Sequence, residues 1–398
     1  MSNGHPVLVG RAGERGVALI LAIFMTVFGL GLILSGTVVM DAAHKKTDVA
    51  FRLDGQARQF ATAGLIDALG WFRRQTSQPV TDFAPRRDEN ASPPIFDTED
   101  PEIGIVREFE IAHGIWGRYE VRKFVPNSTE PVPEVFDIST RRGAETAGTV
   151  WKLVSRGFVF RKVTPNVAFD ESPNHVLGVE VMETEIRRLT LAPPAQAALC
   201  LRQGHTCTIA PRGRVSGGEA AGICWNNDTP EPAIVGEVTG NPPIVGIDGY
   251  DDSTEAIFGV ERDQLRLLAD DRISDNGAFP NPVPSHHILF VETDITFNGL
   301  RPLKGTGIVY VEGNVTITPG SNSFFNGLLF TTGNLTINAP ALIHGTVITQ
   351  GEVLFQGLAD YAQLDYDDSV LNSLMIEVGQ YRLSSSIRRS SLRDSLNY

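Results

Sequence analysis

Residues 17–40 read VALILAIFMTVFGLGLILSGTVVM, without one charged side chain. About 20 apolar residues span a bilayer core as a helix. Thr26, Ser35 and Thr37 fit such a helix, because a helical hydroxyl can bond back to a carbonyl one turn earlier. The run exceeds the roughly 7–15 apolar residues of a secretory signal, and Val39-Met40-Asp41-Ala42-Ala43 behind it is a weak cleavage site. An uncleaved single-pass anchor is a second reading. Arg11, Glu14 and Arg15 before the run sum to +1, as do Asp41, Lys45, Lys46, Asp48 and Arg52 after it. Charge therefore does not orient the segment.

Working outward, residues 42–74 contain no proline. Val49, Leu53, Ala57, Phe60, Ala61, Leu65, Leu69 and Phe72 recur mostly in steps of three and four, which marks one face of a helix. Continued from Val17, the helix is about 87 Å long at about 1.5 Å per residue. Its upstream flank is Arg15-Gly16, and glycine lets a peptidase approach the bond between Gly16 and Val17.

The segment GERGVALILAIFMTVFGLGLI (residues 13–33) resembles the class III signal of type IV prepilins and pseudopilins, above all PilX-type minor pilins and GspK-type pseudopilins. The resemblance continues through the Ala-rich, Ala-Gly-Leu-containing residues 57–71. It implies a leader, residues 1–16, removed by a prepilin peptidase between Gly16 and Val17, with methylation of Val17. It implies a long transmembrane and pilin helix over residues 17–76, anchored in the inner membrane with a periplasmic C-terminal part that reaches the cell surface after assembly. The implied partners are other minor and major pilins and the inner-membrane assembly platform. Major pilins carry Glu at the fifth mature position, where this chain has Leu21. That departure points to a special place in a filament, such as the tip, and to assembly or surface contact. A type II secretion pseudopilin is the alternative within the resemblance.

The rest of the chain reads as a head with appendages. Of 398 residues, 42% are hydrophobic, and 34 Lys+Arg stand against 47 Asp+Glu for a charge of −13. A core is feasible, and the acidic balance argues against a nucleic-acid partner, which needs a basic face. Residues 77–101 form a Pro-rich linker. Residues 102–192 hold alternating strands at 116–125, 150–163 and 176–191, an antiparallel β head lying on the helix. Residues 193–284 read as a loop-rich connection carrying Cys200, Cys207 and Cys224. Three cysteines exclude a four-cysteine zinc site. In a periplasmic domain they allow one disulfide and leave one thiol over, with Cys200–Cys207 and Cys207–Cys224 as the readings that spacing favours; otherwise the three stay free or buried.

Residues 285–357 hold a repeat. Asp294-Ile295-Thr296-Phe297, Asn314-Val315-Thr316-Ile317, Asn334-Leu335-Thr336-Ile337 and Glu352-Val353-Leu354-Phe355 fall at spacings of 20, 20 and 18, each behind another apolar strand. A fixed period near 20 predicts a parallel β-solenoid of four rungs that share one core. Residues 358–398 predict a helix at 368–379 and a Ser/Arg-rich cap or mobile end from 384. The expected fold class is thus α+β, with long helix, antiparallel head and C-terminal solenoid. The carboxylates Glu292, Asp294, Glu312 and Glu352 are unpaired in sequence, which favours a scaffold over a carbohydrate-active enzyme, and a membrane-anchored solenoid adhesin is the reading outside any pilus. No cofactor is expected. The weak calcium candidates are Asp248, Asp251, Asp252 and Glu255, four carboxylates in eight residues. His286-His287 lacks a third ligand.

Overall fold

The structure, a computed structural model, describes residues 14–126, 130–144 and 146–391. Residues 1–13 of the expected leader and 392–398 of the tail lie outside the described residues. Helix α1 (Glu14–Arg74) opens the fold. Its second half buries Ala57, Ala61, Leu65, Ala68 and Phe72 against an antiparallel sheet containing strands Gly104–Ala112, Ile115–Arg122, Val150–Arg161 and His175–Arg187. Small residues set the distance of approach. A Cβ on Gly157 would lie 2.0 Å from the Ala57 carbonyl oxygen and 2.4 Å from the Ala61 nitrogen. The Ala-rich stretch is therefore a docking face that lets helix and strand backbones touch. The Tyr119 hydroxyl donates to Asp67 across this contact at 3.1 Å. At the end of α1, Phe72 sits among Trp71, Phe83, Trp151 and Tyr381, with ring centroids 5.1 to 5.9 Å away.

The larger part of the molecule is parallel sheet. Among the described residues, one sheet has eleven strands and a second has six. Strands Val283–Val291, Lys304–Val311, Ser323–Thr331 and Ala341–Thr349 stack in parallel register in the first. Ile295–Phe297, Val315–Ile317, Leu335–Asn338 and Val353–Gln356 do so in the second. Ile295, Val315, Leu335 and Val353 meet Leu289, Val309, Leu329 and Val347 in a shared core. The corners are tied by a side-chain ladder. Asp294 accepts from the Asn314 N–H at 2.7 Å, Asn314 from the Asn334 N–H at 2.8 Å, and Asn334 from the Glu352 N–H at 2.9 Å. On the outer face, Tyr310 stacks between Phe290 (4.9 Å) and Phe330 (4.6 Å). Gly327, at φ 151°, holds a position where a Cβ would meet the Gly307 carbonyl at 2.0 Å.

This architecture corrects the expected fold class. The chain is mostly sheet, dominated by these large parallel sheets, and the four-rung solenoid at 285–357 understates them. Residues 193–284 are not a loop-rich connection. Strands Ala197–Leu201, Ala221–Asn226 and Ile244–Ile247 continue the first sheet, and Cys207–Ile209 continues the second. The physical reason is alternation: Leu199, Leu201, Ile209, Val215 and Ile223 all point into the same core. The array is assembled out of sequence order, because Ala197–Leu201 pairs with Ala341–Thr349. The tail also differs from expectation. After α4 (Asp368–Val378), strands Arg382–Leu383 and Arg388–Arg389 return to pair with His175–Arg187 in the head. The parallel array is thus inserted between two neighbouring strands of the head sheet.

The membrane expectation is corrected as well. Among the described residues, no helix is long and apolar enough to cross a membrane. The docked half of α1 carries Arg52, Asp54, Arg58, Asp67, Arg73 and Arg74, so that half is not an apolar span. A single-pass inner-membrane anchor is not supported.

Candidate assembly interface

The two halves of α1 differ in what covers them. Upstream of Leu53, Phe24 and Phe51 are each 73% exposed. Met25, Val27, Phe28, Leu30, Leu34 and Met40 are exposed too. At about 3.6 residues per turn these side chains point to all sides of the helix. A helical segment with apolar side chains on every side, as at residues 24–40, is one that is ordinarily buried. The Thr37 hydroxyl donates to the Leu34 carbonyl at 2.9 Å, so it presents no free donor along this surface. Gly16 and Val17, the expected cleavage pair, stand in the first turn of α1.

The other singled-out residues do not converge. Asp248 accepts from the Asn227 amide at 2.7 Å. Asp251 accepts from the Ser253 N–H at 2.8 Å, a bond that holds its carboxyl below the usual range. Asp252 is buried and paired with Arg202 at 2.6 Å. Glu255 sits in the first turn of the short helix α2 (Thr254–Phe258). With Asp251 it lines a cleft beside Thr149 and Thr190. Each carboxylate thus has its own local role, and among the described residues no group of three or more His, Cys, Asp or Glu could hold a metal ion. His287 faces Asp271 at 3.3 Å.

Two carboxylates of the array fasten a helix to it. Helix α3 (Arg262–Leu268) carries Arg262, paired with Glu312, and Arg266, paired with Glu292. The Arg266 hydrogen bond holds the Glu292 carboxyl below its ordinary value. The cysteines are all buried. Cys224 lies directly opposite Cys200 on the neighbouring strand, whereas Cys207 lies in the other sheet. Neither pairing that sequence spacing favoured is brought together. Spacing carries no signal of the register that decides it.

No protein-family model and no curated protein matches the chain. Among solved structures, the crystal structure of the competence-associated pilin ComZ from Thermus thermophilus aligns over 85% of this chain and 98% of that chain. The identity is 10% and the TM-score 0.26, a likeness too weak to carry an argument.

Proposed function

We propose that this chain is a pilin-like structural subunit that works by non-covalent assembly through the exposed half of α1. The observation that carries the reading is the change of surroundings along one helix: Ala57, Ala61, Leu65, Ala68 and Phe72 are buried against the head, while Phe24, Met25, Val27, Phe28, Leu30, Leu34, Met40 and Phe51 are exposed. The prepilin-like residues 13–33 and the Ala-rich docking face support it. In this reading a prepilin peptidase cleaves between Gly16 and Val17. The helix then packs among those of other minor and major pilins on the assembly platform. Leu21 in place of Glu favours a special position such as the tip over a repeated one, as in PilX-type minor pilins. A type II secretion pseudopilin differs only in the filament joined. The role is non-enzymatic and needs no cofactor. The engagement of Glu292 and Glu312 with α3 supports a scaffold.

The test is made in the native cell. A photo-crosslinking residue replaces Phe28, and the mature N-terminus is read by mass spectrometry. The expected result is a chain starting at methylated Val17 that crosslinks to other pilin-like chains. A chain still starting at Met1 or Ser2 with the peptidase present, and no crosslink from position 28, overturns the proposal.

A further inference from the structure

We propose that Cys200 and Cys224 are a disulfide-forming pair, and that Cys207 stays outside it as a reduced, buried thiol. The first observation is register. Ala221–Asn226 pairs in parallel with Ala197–Leu201, and Cys224 is the direct partner of Cys200. In-register residues on adjacent parallel strands project to the same face. The second is distance: the two Sγ atoms are 2.9 Å apart. Unbonded carbon atoms rest at about 3.5–4.0 Å, so the sulfurs sit inside ordinary contact range. The third is segregation. Cys200 and Cys224 pack on the outer face of the sheet with Ile348 and Leu374 of α4. Cys207 packs inside, with Ile209 and Phe355. The strand backbones stand between Cys207 and the pair, although Cys207 is the nearer thiol to both in sequence.

The chemistry is thiol–disulfide exchange, with a small disulfide as oxidant. One cysteine thiolate attacks the oxidant and displaces one of its thiolates, and the second cysteine thiolate then attacks the mixed disulfide and displaces the other. Two thiol protons are lost, the Sγ–Sγ bond forms, and the oxidant leaves as two thiols carrying the two electrons. Both cysteines are fully buried in the finished fold. The Cys200 contact and burial also push the Cys224 thiol well above its usual pKa, which disfavours the attacking thiolate. The bond therefore forms before α4 and the Ala341–Thr349 strand cover the site, and is sealed afterwards. The loop it closes contains Cys207–Ile209 and Gly213–Ser216, so it staples one complete turn of the array to the next. None of this depends on the assembly role of α1.

The test uses the full chain, unfolded in urea with reductant, then refolded by dilution with oxidised glutathione and compared with untreated chain oxidised in its folded state. Thiols are alkylated in denaturant without further reduction and the peptides mapped. Before alkylation the expected refolded product is about 2 Da lighter than the reduced chain, and after it Cys200 is joined to Cys224 and Cys207 is alkylated. The chain oxidised while folded is expected to show three alkylated cysteines if it was purified reduced. Cys207→Ser is expected to keep the bridge, and Cys224→Ser to give none. The unfolded chain sampled at zero refolding time supplies the random-pairing reference, so a product that fails to refold is still scored. Three alkylated cysteines after oxidative refolding, pairing no better than that reference, or a Cys200–Cys207 bridge in Cys224→Ser overturns the proposal.

Discussion

The hydroxyl of Tyr381 donates to the Gly148 carbonyl at 2.5 Å and accepts from the Val80 N–H at 3.0 Å. The ring is fully buried against Phe72. One residue from beyond the parallel array thus closes the head core that α1 and the early strands leave open. Tyr381→Phe leaves the buried Val80 N–H without this partner, while the Gly148 carbonyl keeps the Trp151 indole N–H, and is expected to cost about 1–3 kcal/mol. Tyr381→Ala also empties the ring's space and is expected to cost about 3–5 kcal/mol, by analogy with other large aromatic truncations. Urea denaturation followed by tryptophan fluorescence measures both, since Trp71 and Trp151 share the cluster. Equal costs for the two variants would refute the division between hydrogen bonding and packing.

Gly157 and Gly55 give opposite answers to the same substitution. Alanine at 157 meets the Ala57 carbonyl at 2.0 Å, backbone against backbone, and forces α1 off the sheet. Overpacking of this kind costs typically about 1–3 kcal/mol, and a backbone clash belongs at the upper end or beyond. Alanine at Gly55 meets nothing within 4 Å and is expected to stabilise the helix by about 0.5–1 kcal/mol. Thermal midpoints of the two variants should move in opposite directions.

Tyr310 separates stacking from hydrogen bonding on the array. Its hydroxyl lies 3.2 Å from that of Thr254, and its ring is the middle member of the Phe290–Tyr310–Phe330 stack. Tyr310→Phe keeps the stack and is expected to cost about 0.5–1.5 kcal/mol. Tyr310→Leu removes both stacked pairs and the edge contact with Phe258, ring pairs each worth about 0.5–1.5 kcal/mol beyond burial. The comparison is read from urea midpoints, and a phenylalanine variant as unstable as the leucine one would show the stack to be energetically idle.

Glu183 makes the returning tail sensitive to acid. Burial pushes its carboxyl up, but bonds from Lys152, Ser390 and Arg388 and the Lys152 charge outweigh that, so its pKa lies below the ordinary 4.5. A carboxyl depressed on folding contributes stability that is full above the unfolded value and lost as pH falls through the folded one. The bonds to Arg388 (2.9 Å) and Ser390 (2.8 Å) should therefore weaken below pH 4.5. Hydrogen exchange at residues 388–390, normalised to intrinsic rates, is expected to lose protection there. In Glu183→Gln the pH dependence should flatten.

The legible parts of the fold are those with a regular period. Steps of three and four from Leu53 to Phe72 marked the docked face, and spacings of 20, 20 and 18 marked the stacked strands. The rungs at 197–247 escaped because their corners differ in length: Leu199 pairs with Ile223, and Ile223 with Ile244, so successive steps do not match. Arg388 and Arg389 read as a mobile end because their partners, Glu183 and Glu180, lie some two hundred residues away. The exposed half of α1 was legible as an apolar run, but its lack of cover is a tertiary fact. So is the Cys200–Cys224 register.

Because the array is inserted into the head, and its early strands wait for Ala341–Thr349, neither unit is complete when first synthesised. A ribosome that has released residues 14–187 has made a head still lacking Tyr381 and its two returning strands. One that has released residues up to 247 has made rungs with an open edge. The second gap closes when Ala341–Thr349 emerges, and the first only when the last tenth of the chain does. A premature stop between the head and Ala341–Thr349 would yield a product with two unfinished sheets, a substrate for proteolysis rather than a shorter functional protein.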